Sequence, residues 1–164
     1  MKEQISLKKA TPKDVDIILY FIRAIAKYEK LLDRVKATKE GLYESIFIKK
    51  ACEVLLAYSG QKAVGFALYF FNFSTFEGKR GLYLEDIFVE EEYRGEGIGK
   101  MFFKELAKIA LKEDCARMEW VCLDWNKSSI DFYLSLGAKA MSGWSVYRVE
   151  KEGIKALEAR LCCE

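Results

Sequence analysis

Residues 93–100 read YRGEGIGK, with Gly95, Gly97 and Gly99 alternating between Arg94 and Lys100. An apolar, strand-like run precedes this stretch and an amphipathic helix pattern follows it. Glycine at that density costs chain entropy. In return it gives bare backbone at a helix start, where N–H groups lack intrahelical partners and carry partial positive charge. A phosphate or diphosphate can rest on such groups. Two familiar cradles are excluded by spacing. In a Walker A loop, Arg94 would occupy the first glycine position and Met101 the place of the metal-binding hydroxyl. In a dinucleotide fingerprint, Lys100 would replace the third glycine, and EEEYR (90–94) separates the loop from its strand. What remains is Arg-x-x-Gly-x-Gly, met by Arg94, Gly97 and Gly99. Alone it suits an ordinary glycine turn as well as an anion cradle, and Arg94 either adds charge or braces the loop.

Carboxylates supply the second chemistry. Glu85 and Asp86 lie in LYLEDIFV (82–89). Strict alternation puts Tyr83, Glu85, Ile87 and Val89 on one face and Leu84, Asp86 and Phe88 on the other. A carboxylate among such neighbours serves either a core or edge salt bridge, or a cationic amine that must lose a proton. An alkylammonium has a pKa of roughly 10, so little free amine exists at neutral pH, and a carboxylate in a cleft can hold the cation and relay its proton. Asp86 can share that work. Glu29 falls seven residues beyond Ile22 on the stripe of the first helix, as a frayed end or as an acid facing a cavity. The chain has no histidine. Any general base is therefore carboxylate, lysine, tyrosine, thiolate or water, and a histidine-assisted triad is impossible.

The elements that must position these groups are legible from period and punctuation. QISLKKA (4–10) reads as a strand. Thr11-Pro12-Lys13-Asp14 starts a helix whose stripe is Val15, Ile18, Leu19, Ile22 and Ile25. TKEGLYESIF (38–47) suggests a short helix. CEVLLAYSG (52–60), KAVGFALYFFNF (62–73) and GLYLEDIFV (81–89) read as an antiparallel meander punctuated at Ser59-Gly60-Gln61 and Phe76-Glu77-Gly78-Lys79. After the glycine loop comes a helix with Ile98, Met101, Phe102, Leu106 and Ile109 inside and Lys100, Lys104 and Lys108 outside. RMEWVCL (117–123) reads as a strand. NKSSIDFYLSLGA (126–138) reads as a helix capped by Asn126 and closed by Gly137, with Asn126, Ser129, Ile130 and Tyr133 on one stripe. GWSVYRVE (143–150) reads as a further strand and EGIKALEARL (152–161) as a terminal helix. These elements predict an α/β (α+β) fold with a mixed sheet and helices on its faces.

The 164 residues are expected to form a single domain, 1–164. Net charge is +2, with basic pairs scattered among acids rather than drawn into a nucleic-acid stripe. No apolar run approaches the roughly 20 residues that span a bilayer, and the N-terminus lacks the apolar core of a signal peptide. Cysteines number five, an odd count: Cys52, Cys115, Cys122, Cys162 and Cys163. None has metal-ligand spacing. Cys52 and Cys122 sit in apolar runs as small core residues, and Cys162-Cys163 reads as incidental. The expectation is a reduced, cytoplasmic protein without metal, nucleic-acid partner or membrane attachment.

AKYE (26–29), STFEGK (74–79), LYLEDIFV (82–89), YRGEGIG (93–99), LDWN (123–126) and DFYLSLGA (131–138) together resemble the GNAT superfamily of acyl-CoA-dependent N-acyltransferases, in family order and spacing over nearly the whole chain. Within it the match is to the diamine branch, the spermidine/spermine and thialysine acetyltransferases. STF and LDWN look closer to the thialysine type. The polyamine type carries an Asp and a Trp about where Ser74 and Phe76 stand, and the thialysine type also has the Trp.

The resemblance implies a mostly antiparallel central sheet of six to seven strands and acetyl-CoA as cosubstrate. It implies a diphosphate on Arg94, Gly95, Glu96, Gly97, Ile98, Gly99 and Lys100, and a pantetheine arm along Ile87, Phe88 and Val89. Asn126, Lys127 and Ser129 are implied as further cofactor neighbours. Glu85 is implied as the catalytic acid that relieves the amine of its proton, and Tyr133 as general acid to the leaving sulfur. Tyr28, Glu29, Glu85, Asp124 and Trp125 are implied around a small cationic amine, attacked directly in a ternary complex, and a homodimer is implied by analogy. A protein N-acetyltransferase and a catalytically idle CoA-binding module are the alternative functions.

Overall fold

The structure is a computed structural model that describes residues 3–161. Cys162 and Cys163 lie outside the described residues. Contacts divide the chain after Val121 into two compact units.

The first unit is a five-stranded sheet in the order β1-β2-β3-β4-β5. The strands are β1 (Ile5–Lys9), β2 (Glu53–Ser59), β3 (Lys62–Ser74), β4 (Lys79–Val89) and β5 (Arg117–Glu119). The first four form the antiparallel meander expected, and β5 joins β4 in parallel. Three helices accompany them: α1 (Val15–Tyr28), α2 (Lys39–Tyr43) and α3 (Ile98–Lys112). Asp14 returns its carboxylate to the Thr11 N–H at 2.7 Å, in the capping role its position predicts, above one 3-10 turn that leads into α1. Thr38 Oγ1 caps α2 by accepting from the Gly41 N–H at 3.1 Å.

Helices cover both faces of the sheet. Ile18 and Phe21 of α1, with Ile46, pack on Val54, Leu56, Phe66 and Leu68. Phe21 stacks on Phe66 with ring centroids 5.4 Å apart, so the buried stripe of α1 includes a residue outside the expected set, while Leu19, Ile22 and Ile25 are half-buried. On the other face α3 buries Ile98, Phe102, Phe103, Leu106 and Ala110, leaving Met101 and Ile109 half-buried and its three lysines exposed as expected.

The second unit contains α4 (Lys127–Ser135) and α5 (Lys151–Leu161). Asn126 Oδ1 accepts from the Ser129 N–H at 3.3 Å and caps α4. At its other end the Gly137 N–H donates to Leu134 O and the Ala138 N–H to Tyr133 O, a complete Schellman closure around Gly137 at φ 85°.

Two sheet expectations are corrected. The strand foreseen over 117–123 stops at Glu119, and 143–150 forms no strand, so the described sheet has five strands rather than six to seven. Alternating apolar residues specify a face, but a strand also needs a hydrogen-bonded neighbour. The described residues supply 143–150 with none.

Candidate active site

The register of β3 against β4 breaks in the middle of LYLEDIFV. Leu68 faces Asp86 and Tyr69 faces Leu84, so Glu85 is an extra residue with no partner across the ladder. This is a β-bulge, a device that re-aims side chains and recurs beside active sites. It also corrects the face assignment read from strict alternation. Directly opposed residues share a face. Phe88, opposite Phe66, packs against the α1 core, and Asp86, opposite Leu68, joins it on that side. Ile87 and Val89, opposite Ala67 and Gly65, fall on the α3 side with Leu84. The inserted residue has flipped everything beyond it.

The bulge gathers acids. Asp86 is largely buried, and burial, then Glu85, then Glu29 push its carboxyl up to about 6. Glu29 is itself raised by burial. The same Glu85 charge, after burial, raises the Tyr83 phenol and the Cys52 thiol. Glu29 is no frayed end. It is the C-cap of α1, fixed by Lys30 at φ 61° and by bonds from the Lys30 N–H to Lys27 O and the Leu31 N–H to Ala26 O. An acid buried without a cation in this way favours its protonated form. Below about pH 4 Asp86 is protonated folded and unfolded. Between about 4 and 6 the folded state holds more protons, so stability falls as pH rises, by up to about 3 kcal/mol above pH 6. Asp86→Asn should therefore raise the melting temperature at pH 7, with the gain vanishing near pH 4 in parallel thermal melts.

The glycine loop joins β4 to α3. Gly95 and Gly97 take φ of 79° and 83°, which L side chains rarely adopt, and a Cβ added at either would meet no atom within 4 Å. Crowding by the protein thus gives no reason for these glycines. Backbone conformation and open space in front of the loop do. Gly97 is the N-cap of α3, and no side chain caps that helix end. The Arg94 guanidinium donates through Nε to Val89 O at 2.9 Å and lies 4.9 Å from the Tyr28 ring centroid and 5.4 Å from that of Phe88. Its geometry is that of a brace tying the loop to the end of β4. Of the acids that lead into the loop, Glu90 accepts from the Tyr20 hydroxyl at 2.6 Å and Glu92 pairs with Lys62.

β5 pairs only with Gly81–Tyr83, so from Leu84 onward that edge of β4 has no strand partner in the described sheet. The backbone of Ile87, Phe88 and Val89 lies along this open stretch. An extended amide chain can add to such an edge.

The first unit thus brings Tyr28, Glu29, Glu85, Asp86 and the loop from Arg94 to Lys100 around the α1 end of β4. Asp124, Trp125, Asn126, Lys127, Ser129 and Tyr133 belong to the second unit, where Asn126 opens α4 and Tyr133 lies on it with its ring 5.6 Å from that of Phe132. Sequence reasoning missed the bulge. Its only trace was two adjacent acids interrupting an apolar strand.

Residues 20–138 match the model of the Acetyltransferase (GNAT) family. The thialysine N-epsilon-acetyltransferase of Bos taurus is 38% identical, covering 95% of this chain and 98% of its own. The L-ornithine N5-acetyltransferase of Arabidopsis thaliana is 26% identical over 93% of this chain and 87% of its own. Among solved structures, an integron cassette protein from V. cholerae superimposes with a TM-score of 0.78 at 28% identity, covering 94% of this chain and 97% of its own.

Proposed function

Because this chain belongs to the GNAT acetyltransferase family, we propose that it transfers the acetyl group of acetyl-CoA to a primary amine of a small cationic acceptor: a lysine-like amino acid, a diamine or a polyamine. The observation that carries this reading is the bulge, which sets Glu85 and Asp86 beside Glu29, so that burial and neighbouring acids raise the Asp86 carboxyl. An ammonium group is the natural complement of that cluster. The amine chemistry in the names of the bovine and Arabidopsis relatives agrees.

The residues present fit acetyl-CoA, which supplies an activated acetyl thioester when bound. The bare backbone from Gly95 to Lys100 at the uncapped start of α3 would hold its diphosphate, with Arg94 bracing the loop. The open edge at Ile87, Phe88 and Val89 would pair with its pantetheine amides, and a backbone N–H there would steady the developing oxyanion. Asn126, Lys127 and Ser129 would border the arm. Glu85 and Asp86 attract the ammonium and take its proton, and Tyr133 donates a proton to the departing sulfur. Tyr28, Glu29, Asp124 and Trp125 would wall the acceptor. Attack is direct, in a ternary complex, and the gain is mostly proximity.

The family match runs across the break at Val121, which supports treating residues 1–164 as one functional domain. No described helix is long and apolar enough to cross a membrane, and the free thiols of Cys52 and Cys115 suit a reducing cytoplasm. A homodimer is part of the same reading: the exposed Trp144, Val146 and Tyr147 would gain cover from a second copy.

The test is release of CoA thiol from acetyl-CoA in the presence of thialysine, lysine, ornithine, short diamines, polyamines and peptides. Small cationic amines should be turned over. Activity on peptides alone, or on no amine, contradicts the proposal. Within the same assay, Glu85→Gln should lower kcat/KM by about 10²-fold, the low end of general acid–base contributions. Its residual activity should carry an acid limb at lower pH than the parent's, because Asp86 loses one of the negative charges that raise it. An unmoved limb would separate Glu85 from proton transfer.

A further inference from the structure

β3 outruns β2. Their ladder ends where Glu53 faces Tyr69, yet β3 continues through Ser74, paired only with β4. Beyond Tyr69 the edge of β3 facing β2 therefore has no strand partner in the described sheet. A slot of about 450 Å³ lies along it, walled by Lys50, Cys52, Glu53, Phe70, Asn72 and Arg80. Successive N–H and C=O groups of an unpaired strand edge point outward, ready to bond an incoming chain.

The charges on this wall are unequal. Glu53 is engaged by the Lys9 ammonium at 2.6 Å and by the Tyr69 hydroxyl at 2.9 Å. Arg80 pairs with Glu113 at 3.0 Å and lies over the Phe71 ring. Lys50, held at φ 52° where the chain enters β2, has no ion pair among the described residues. The uncompensated charge of the slot is thus positive, whereas that of the bulge is negative.

The two lie close together. Cys52 lines the slot and feels the Glu85 carboxylate, and Phe70 packs its ring 5.0 Å from that of Tyr83, which feels it too. The near end of the slot, at Phe70, is one position along β3 from Tyr69, and Glu85 lies one strand spacing across on β4, about 6 Å in all at strand dimensions. That is the reach of one lysine-length side chain. We propose that the β3 edge slot reads the α-amino-carboxylate head of the acceptor: Lys50 pairs with its carboxylate, edge N–H and C=O groups bond its two charged ends, and the distal amine reaches Glu85. Lys50 is then a specificity-determining residue that favours amino acids over diamines. This inference rests on the acetyltransferase reading above.

Steady-state acetylation of L-lysine and of 1,5-diaminopentane, the same chain without the carboxylate, tests it in the full-length protein. In Lys50→Glu the ratio of kcat/KM for lysine over diaminopentane should fall tenfold or more, through KM for lysine and with kcat little changed. Lys50→Arg should restore most of the ratio. Because position 50 is already exposed and left-handed with a side chain, neither variant adds backbone strain. An unchanged ratio in Lys50→Glu, or an equal loss for both acceptors, overturns the slot assignment while leaving the acetyltransferase reading intact. Absence of thiol release with both acceptors in the parent protein overturns the slot assignment, and absence with every amine of the wider panel overturns the acetyltransferase reading as well.

Discussion

Gly97→Trp should leave a folded protein that no longer binds acetyl-CoA. At φ 83° any L residue at this position is strained, at a cost of order 1–3 kcal/mol, a tax the rest of the fold can bear. The side chain itself has room, since a Cβ built there meets nothing within 4 Å. The indole would therefore grow into the space in front of the loop, where the proposal puts a diphosphate. Calorimetry should show affinity reduced at least 100-fold, while Gly97→Ala, with the same strain and little bulk, should lose much less. Unchanged affinity in the tryptophan variant would refute the cradle.

Tyr133→Phe carries the largest expected loss of turnover. A thiolate leaving group, with a thiol pKa near 8.5 by analogy with cysteine, gains from a phenol donor, and general acids of this kind contribute roughly 10²–10⁴-fold. The substitution removes one hydroxyl and leaves the helix end intact, because Tyr133 anchors α4 through its main-chain carbonyl, which accepts from the Ala138 N–H at 3.2 Å. The expected result is kcat reduced by about 10² or more with acetyl-CoA affinity nearly unchanged. Full activity would remove Tyr133 from the chemistry.

The parts of this fold that were legible in the sequence are those decided locally. Thr11 and Asp14 box the start of α1, Asn126 caps α4 and Gly137 closes it, because each satisfies backbone groups within a few residues. The meander followed from apolar runs separated by glycine turns. The ends of α1 and α3 were less visible. They close through Lys30 and Asp114 at positive φ, where lysine carries no such signal by type and aspartate only a weak one.

What escaped was decided by partners distant in sequence. The bulge at Glu85 arises from register against β3, and one inserted residue moved Asp86 and Phe88 to the α1 face. The two adjacent acids are its only trace in the sequence, and they do not fix the register. Phe21 was passed over because spacing alone does not say which apolar positions of a broad stripe meet Phe66. The alternating pattern of 143–150 lacks the neighbour that would make it a strand. For the site, the acids, the glycine loop and Tyr133 were readable as types at family spacing, whereas the raised carboxyl of Asp86 needed the burial that only the fold provides.

The central claim is that bare main chain at the start of α3 holds acetyl-CoA beside the acids of the bulge. Titration of acetyl-CoA into amide-labelled protein, followed by NMR, addresses it most directly. The account predicts the largest saturable shifts at the N–H groups of Gly95, Gly97, Gly99 and Lys100, with a second set at Ile87–Val89. Saturable shifts confined to other residues, with this loop and this strand edge silent, would contradict it.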